Sequence, residues 1–308
     1  MFAAKNCCRM VQAVLGTQVG FGLGFLVPSM IVHDSDDLNS IGADFRTLCW
    51  ILTIYIIPVA TAIIFYFPRY PALPPTIAQA EYRKLQKPTF KEFCSRFSNI
   101  LKKPGMILLT VAYGINFGSY ATFTTFLNQF ILQYFENNQK DAGTMGLLSV
   151  AVGIVGTILV GIFLDKTHKY KETNVFVCYM TAISMLAMAG AMKMQNMVLT
   201  YIACISVGFF VNSYWATGFE LGVELTFPSD ESTTSGILTA MSQGTGFLVC
   251  WAMGPFNKNF GAFWSMITLT TIFLIGAVLT QLVPNIKRRQ EEFQKNINEA
   301  KDIVMHKV

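Results

Sequence analysis

The chain has 308 residues, of which 53% are hydrophobic and only 13% charged. Its mean hydropathy is +0.45, more apolar surface than a soluble core of this size can hide. The net charge of +5 is not organised as a basic, aromatic-studded surface, so nucleic acid is not an expected partner. The seven cysteines are scattered with no C-x-x-C pair, and read as small apolar packers. No cleavable leader is evident, because the first apolar run is long and continues into the rest.

Eight apolar runs have the length a helix needs to cross about 30 Å of hydrocarbon. They cover residues 11–32, 47–67, 104–135, 143–164, 174–192, 197–219, 234–256 and 262–283. A polar segment, 68–103, separates the second run from the third. It contains Pro71, Pro74, Pro75 and Pro88 and many basic residues, and reads as a linker lying on anionic headgroups. A charged tail, 284–308, follows the last run. There Phe293, Ile297, Ala300 and Val304 share one helical face.

Charge placement fixes the expected orientation. Alternate hydrophilic segments carry Lys5 and Arg9, the basic cluster of 68–103, Lys166, Lys169 and Lys171, and the basic tail. Only Arg46, Lys140, Lys193 and Lys258 fall on the opposite side. The positive-inside rule places the crowded side, and both termini, in the cytoplasm.

Within the spans, the residues able to carry function are few. Gln18 lies among Gly16, Gly20, Gly22 and Gly24; Gln243 follows Ser242 and precedes Gly244 and Gly246. A buried amide in hydrocarbon must face protein or a watery cavity. Two readings therefore stand for Gln18: a bond to a facing helix, or a contact in a solute path. Tyr113, Phe117 and Tyr120 form a helical stripe at i, i+4 and i+7, with Gly114 and Gly118 expected to loosen that helix; Tyr214 and Trp215 lie in the sixth span. Such rings either pack and meet lipid or hold a cation over their faces. No Asp, Glu, Lys, Arg or His stands at mid-span, so facilitated, potential-sensitive movement of solute is expected in place of proton coupling. P-loop, G-x-S-x-G, H-E-x-x-H and metal-ligand patterns are missing, and neither enzymatic activity nor a cofactor is expected.

A resemblance adds to this reading. Gly218-Phe219-Glu220 with Val223-Glu224 and Thr226-Phe227-Pro228, then Thr234-Ser235-Gly236-Ile237-Leu238, resembles the feline leukaemia virus subgroup C receptor-related (FLVCR-like) branch of the major facilitator transporters. Leu15–Gly20 with Gly24–Pro28 is similar to that family's fifth membrane helix. Tyr113–Ile115 through Phe126–Gln129 is similar to its seventh, and Gly161–Thr167 to the turn after its eighth. The resemblance implies an all-α membrane protein of the major facilitator fold lacking its first four helices. Residues 1–67 would end an N-terminal half, 68–103 would join the halves, 104–283 would form a six-helix C-terminal half, and 284–308 a cytoplasmic tail.

It also implies a multi-pass carrier of choline- or ethanolamine-like cations, working by alternating access, with the plasma membrane as expected location. Haem export is the family's other assigned activity. A shortened, non-transporting chain that binds or regulates a partner, or an incomplete reading frame, is the alternative to a carrier. By family position, Gln18 and Gln243 would face a shared central cavity. Tyr120, Tyr113 and Trp215 would supply aromatic contacts, although the family's seventh-helix tyrosine falls on Ala121, one residue after Tyr120. Asp165 and Lys166 match a short Gly-x-x-x-Asp loop motif. With Glu220 and Glu224 they form an expected cytoplasmic gate of ion pairs, the alternative being helix-end solvation and capping.

Overall fold

A computed structural model describes residues 2–32, 38–66, 90–135, 138–167, 169–227 and 231–285, side chains at 2–15, 38, 90–94 and 96 excepted. The proline-bearing part of the linker and the tail face through Phe293 and Val304 lie outside these residues. Among the described residues all regular structure is helical: α1 (Phe2–Ile31), α2 (Leu38–Tyr66), α3 (Phe90–Leu101), α4 (Met106–Leu132), α5 (Gln139–Thr167), α6 (Tyr170–Lys193), α7 (Met197–Thr226) and α8 (Glu231–Leu282).

Six of these helices are long and apolar enough to cross a membrane, and Gly16–Ile31 of α1 is a shorter apolar stretch. The 52 residues of α8 would extend about 78 Å at 1.5 Å per residue, nearly twice a bilayer with its headgroups. The helix is broken at Gly261, whose φ of 82° and ψ of 172° are non-helical. Arms 231–260 and 262–282 thus supply the last two spans read from the sequence. The break is held from α4's end: Gln133 Oε1 accepts from the Ala262 backbone N–H at 2.6 Å. That bond satisfies one of the amides orphaned at the start of the second arm.

The chain divides into two units, residues 27–98 and residues 1–26 with 99–308. In the first, α2 turns Ile54, Tyr55, Ile64 and Phe65 outward, the surface expected of a helix meeting hydrocarbon. In the second, α4 packs chiefly along α8, α5 along α7, and α6 against both α7 and α8. One core cluster gathers Phe123, Phe130, Met145, Met185, Met188, Cys204, Met266 and Phe273. Another, around Met106, Leu109, Tyr113, Leu221 and Leu238, fills the opposite end.

Close approach is set by missing side chains. A Cβ on Gly118 would stand 2.6 Å from the Gly246 backbone nitrogen, so α4 and α8 cross almost backbone on backbone. Gly156 of α5 is similarly seated, 2.7 Å from the Phe209 carbonyl by the same construction. Small residues at membrane crossings allow dispersion contacts that lipid cannot replace. Gly118 and Gly114 were expected to loosen α4; instead α4 runs unbroken from Met106 to Leu132. Thr110, Ser119 and Thr122 turn their hydroxyls onto carbonyls four residues earlier in α4, satisfying themselves within the helix.

Candidate functional site

The stripe on α4 meets a second on α7, and together they build an aromatic wall. Tyr113 stacks on Phe117 at 6.0 Å and on Tyr214 at 5.5 Å between ring centroids. Phe117 lies 5.7 Å from Trp215 and 6.0 Å from Tyr120, and Trp215 lies 6.3 Å from Phe219. These are the offset and tilted separations that ring quadrupoles favour. Tyr113, Tyr120 and Tyr214 are buried behind the wall, while Phe117, Trp215 and Phe219 are half-buried at its rim. Gly218 makes room: a Cβ there would come 2.5 Å from the Tyr113 ring.

The rear of the wall is tied to α6 by Asn174. Its Nδ2 donates to the carbonyl of Thr217 at 2.9 Å, and its Oδ1 accepts from the Thr217 hydroxyl at 3.0 Å. Asn116 donates to the Ala112 carbonyl and to the Tyr214 hydroxyl, at 3.0 and 3.4 Å. Its Oδ1 is the one buried side-chain atom among the described residues with no hydrogen-bond partner.

Beside the wall lies an amide pair. Gln18 is 1% exposed and Asn212 3% exposed. Gln18 Nε2 donates to Asn212 Oδ1 at 2.7 Å, while Asn212 Nδ2 donates to the Gly208 carbonyl at 2.8 Å. The Tyr120 hydroxyl also interacts with the Asn212 side chain. Gln18 therefore bonds a facing helix, the first of the two readings its sequence context allowed. Its partner is Asn212 of α7 and not Gln243, which is exposed on α8. An amide shut into an apolar seam must take the nearest polar group, and that group is Asn212.

The expected gate residues stand apart. Asp165 and Lys166 are exposed at the end of α5, Glu220 is half-buried and Glu224 is buried on α7. Among the described residues no ion pair joins Asp165 or Lys166 to either glutamate. The cation that closes this end of α7 is Lys103. Its Nζ donates to the Thr226 carbonyl and, at 3.2 Å, to that of Phe227, complementing the helix C-terminus. A hydroxyl pair, Thr226 with Thr234 at 2.8 Å, ties the same end to α8.

Sequence reasoning missed Asn212 and Lys103. Asn212 carries the signal that singled out Gln18, a neutral amide in an apolar run. Lys103 is one basic residue among many in the linker, and nothing local distinguishes it.

Apolar helices crossing at glycines, with an amide pair and a ring wall packed among them, define an integral, multi-pass membrane protein. Residues 10–250 match the family described as Major Facilitator Superfamily, and the chain belongs to that family. It is 31% identical over 277 residues to choline/ethanolamine transporter flvcr2b of Danio rerio, covering 90% of this chain and 57% of that protein. It is 32% identical to choline/ethanolamine transporter FLVCR1 of Felis catus, covering 90% of this chain and 50% of that one. The chain thus spans about half the length of these curated relatives. The fold is also that of the E. coli fucose:proton symporter FucP, at a TM-score of 0.59 and 14% identity over 90% of this chain and 67% of that one.

Proposed function

We propose that the chain carries the solute site of a facilitated carrier for small organic cations of the choline and ethanolamine class. The observation behind this reading is the aromatic wall of α4 and α7, with Phe117, Trp215 and Phe219 half-buried at its rim and Tyr120 connecting it to Asn212 of the Gln18–Asn212 amide pair. A quaternary or primary ammonium is attracted to ring faces by about 2 kcal/mol or more per contact once water is excluded. Neutral amides orient such a ligand without holding it as a carboxylate would, which suits a group that must also let go. The names of the curated relatives, choline/ethanolamine transporters, agree with this chemistry.

In this reading Tyr113 and Tyr120 back the wall, and Gln243 approaches the ligand from α8. Residues 1–67 belong to one moving half and 104–283 to the other, joined by the basic linker 68–103. Asp165, Lys166, Glu220 and Glu224 mark the cytoplasmic end, where solvent access changes as the halves rock. The membrane is the plasma membrane.

The test is uptake of labelled choline by cells expressing the chain, beside Phe117→Ala and Trp215→Ala. Saturable uptake above untransfected cells, reduced in both variants, is expected. Uptake no greater than background, or equal in all three, overturns the reading.

A further inference from the structure

Behind the aromatic wall, Asn116 heads a chain of polar contacts that joins four helices. The Ala112 carbonyl can only accept, so the Asn116 atom 3.0 Å away is the donor Nδ2, and Oδ1 is the other arm of the amide. Nδ2 also reaches the Tyr214 hydroxyl of α7, at 3.4 Å. That hydroxyl interacts in turn with Thr280 of α8 and Cys178 of α6, whose Oγ1 and Sγ lie 4.0 Å apart. Thr280 passes its own proton to the Gly276 carbonyl at 2.8 Å. The amide, phenol and threonine protons therefore all run away from Asn116 Oδ1. Asn116 is 2% exposed, and this oxygen is a buried acceptor with every neighbouring donor of the chain already spent.

The direction in which the oxygen accepts is also fixed. A Cβ at Gly276 would stand 2.5 Å from Oδ1 and 2.6 Å from both Cγ and Nδ2. A point nearly equidistant from all three atoms lies over the flat face of the amide, so the amide rests face-down on α8. The lone pairs of a carbonyl oxygen lie in the amide plane. They therefore point along the seam between α4 and α8 and not into the Gly276 backbone. The Tyr214 hydroxyl, 3.4 Å from the nitrogen of the same amide, is within one bridging molecule of that oxygen.

We propose that this seam is a binding site for one buried water molecule, which donates to Asn116 Oδ1 and bridges it to the Tyr214 hydroxyl. The missing partner must be a donor, because the unpaired atom can only accept. It must also be small and neutral. A cation would bring a charge that only an amide, hydroxyls and a thiol surround, whereas a water brings none and can satisfy two groups at once. With the water in place, α4, α6, α7 and α8 share one completed polar chain inside the apolar bundle, and Tyr214, which stacks on Tyr113 at 5.5 Å, is held from behind. The inference does not depend on the carrier reading.

The experiment is brief X-ray radiolysis of the purified 308-residue chain in lipid nanodiscs, followed by peptide mass spectrometry. A hydroxyl radical made from a held water oxidises the side chain beside it, while a ring buried in dry protein is spared. Tyr214 is 2% exposed and Phe130, in the other core cluster, 0% exposed. Oxidation of Tyr214 well above that of Phe130 is expected in the wild type. Asn116→Leu keeps the volume and deletes the acceptor, and should lose the Tyr214 label. Asn116→Thr is the second variant: its hydroxyl turns to the Ala112 carbonyl, as Ser119 and Thr122 turn to carbonyls four residues earlier, and the label should again be lost. Tyr214 oxidised no more than Phe130 in the wild type overturns the inference, whether or not either variant folds. Undiminished Tyr214 oxidation in a folded variant also overturns it.

Discussion

The crossing of α4 and α8 at Gly118 makes the sharpest structural prediction. An alanine Cβ there would lie 2.6 Å from Gly246 N, 3.1 Å from Gly246 Cα and 3.1 Å from the Ser242 carbonyl oxygen. All three obstacles are backbone, so no side chain can swing away, and the helices must part by several tenths of an ångström. Forcing extra volume into a packed seam costs about 1–3 kcal/mol. At roughly 2–4 °C per kcal/mol for a domain of this size, Gly118→Ala should lower the melting temperature by about 2–12 °C. Gly190→Ala is the control: nothing lies within 4 Å of a Cβ there, and removing a helical glycine should stabilise by about 0.5–1 kcal/mol. Thermal melting of both variants in one detergent, followed by loss of monodispersity, provides the comparison. Because residue 118 adjoins Phe117 and lies between the stripe residues, choline binding should weaken in Gly118→Ala as well. Equal melting temperatures for Gly118→Ala and wild type would refute the argument that backbone contact sets this crossing.

Other expectations follow from single contacts. Lys103→Met removes the cation from the carbonyls at the end of α7; Lys103 is only half-buried, so a loss of about 0.5–2 kcal/mol is expected, read as a lower melting temperature that salt reduces. Gly261→Ala places a side chain at φ 82° and ψ 172°, a region essentially reserved for glycine, costing about 1–3 kcal/mol, and should expose the junction between the arms of α8 to protease. Trp215→Ala removes one face of the wall and should weaken choline binding by roughly 3- to 30-fold, the range of one cation–π contact, without altering the melting temperature by more than a few degrees. Cysteine introduced at Asp165 should react with an impermeant maleimide only from the cytoplasmic side, and at Lys193 only from outside; labelling of both from one side would refute the charge-based orientation.

The long helices α2 and α4 to α8 were legible because lipid imposes a simple rule, apolar length, which they obey; α3, only 12 residues within the basic linker, was not. The aromatic stripe of Tyr113, Phe117 and Tyr120 was legible by helical spacing. Its partners on α7 were visible as residue types but not as neighbours, because α4 and α7 meet through contacts about a hundred residues apart. Runs 234–256 and 262–283 were legible as separate spans; that they meet at a one-residue break is seen in the angles of Gly261, where Gln133, 129 positions earlier, accepts from Ala262. Gln18 was found by its polarity, yet polarity cannot say whether an amide meets water, ligand or another amide. Asn212 supplies that answer only in three dimensions. Lys103 was hidden in a charge run that composition treats as solvated.

In the proposed carrier, neutral rings and an amide hold a small ammonium ion among the helices. Equilibrium binding of labelled choline to the purified chain, with Trp215→Ala and Gln18→Ala in parallel, addresses that directly. Saturable binding to the wild type, weakened several-fold or more in each variant, is the predicted outcome. Binding absent from the wild type, or identical in all three proteins, would contradict it.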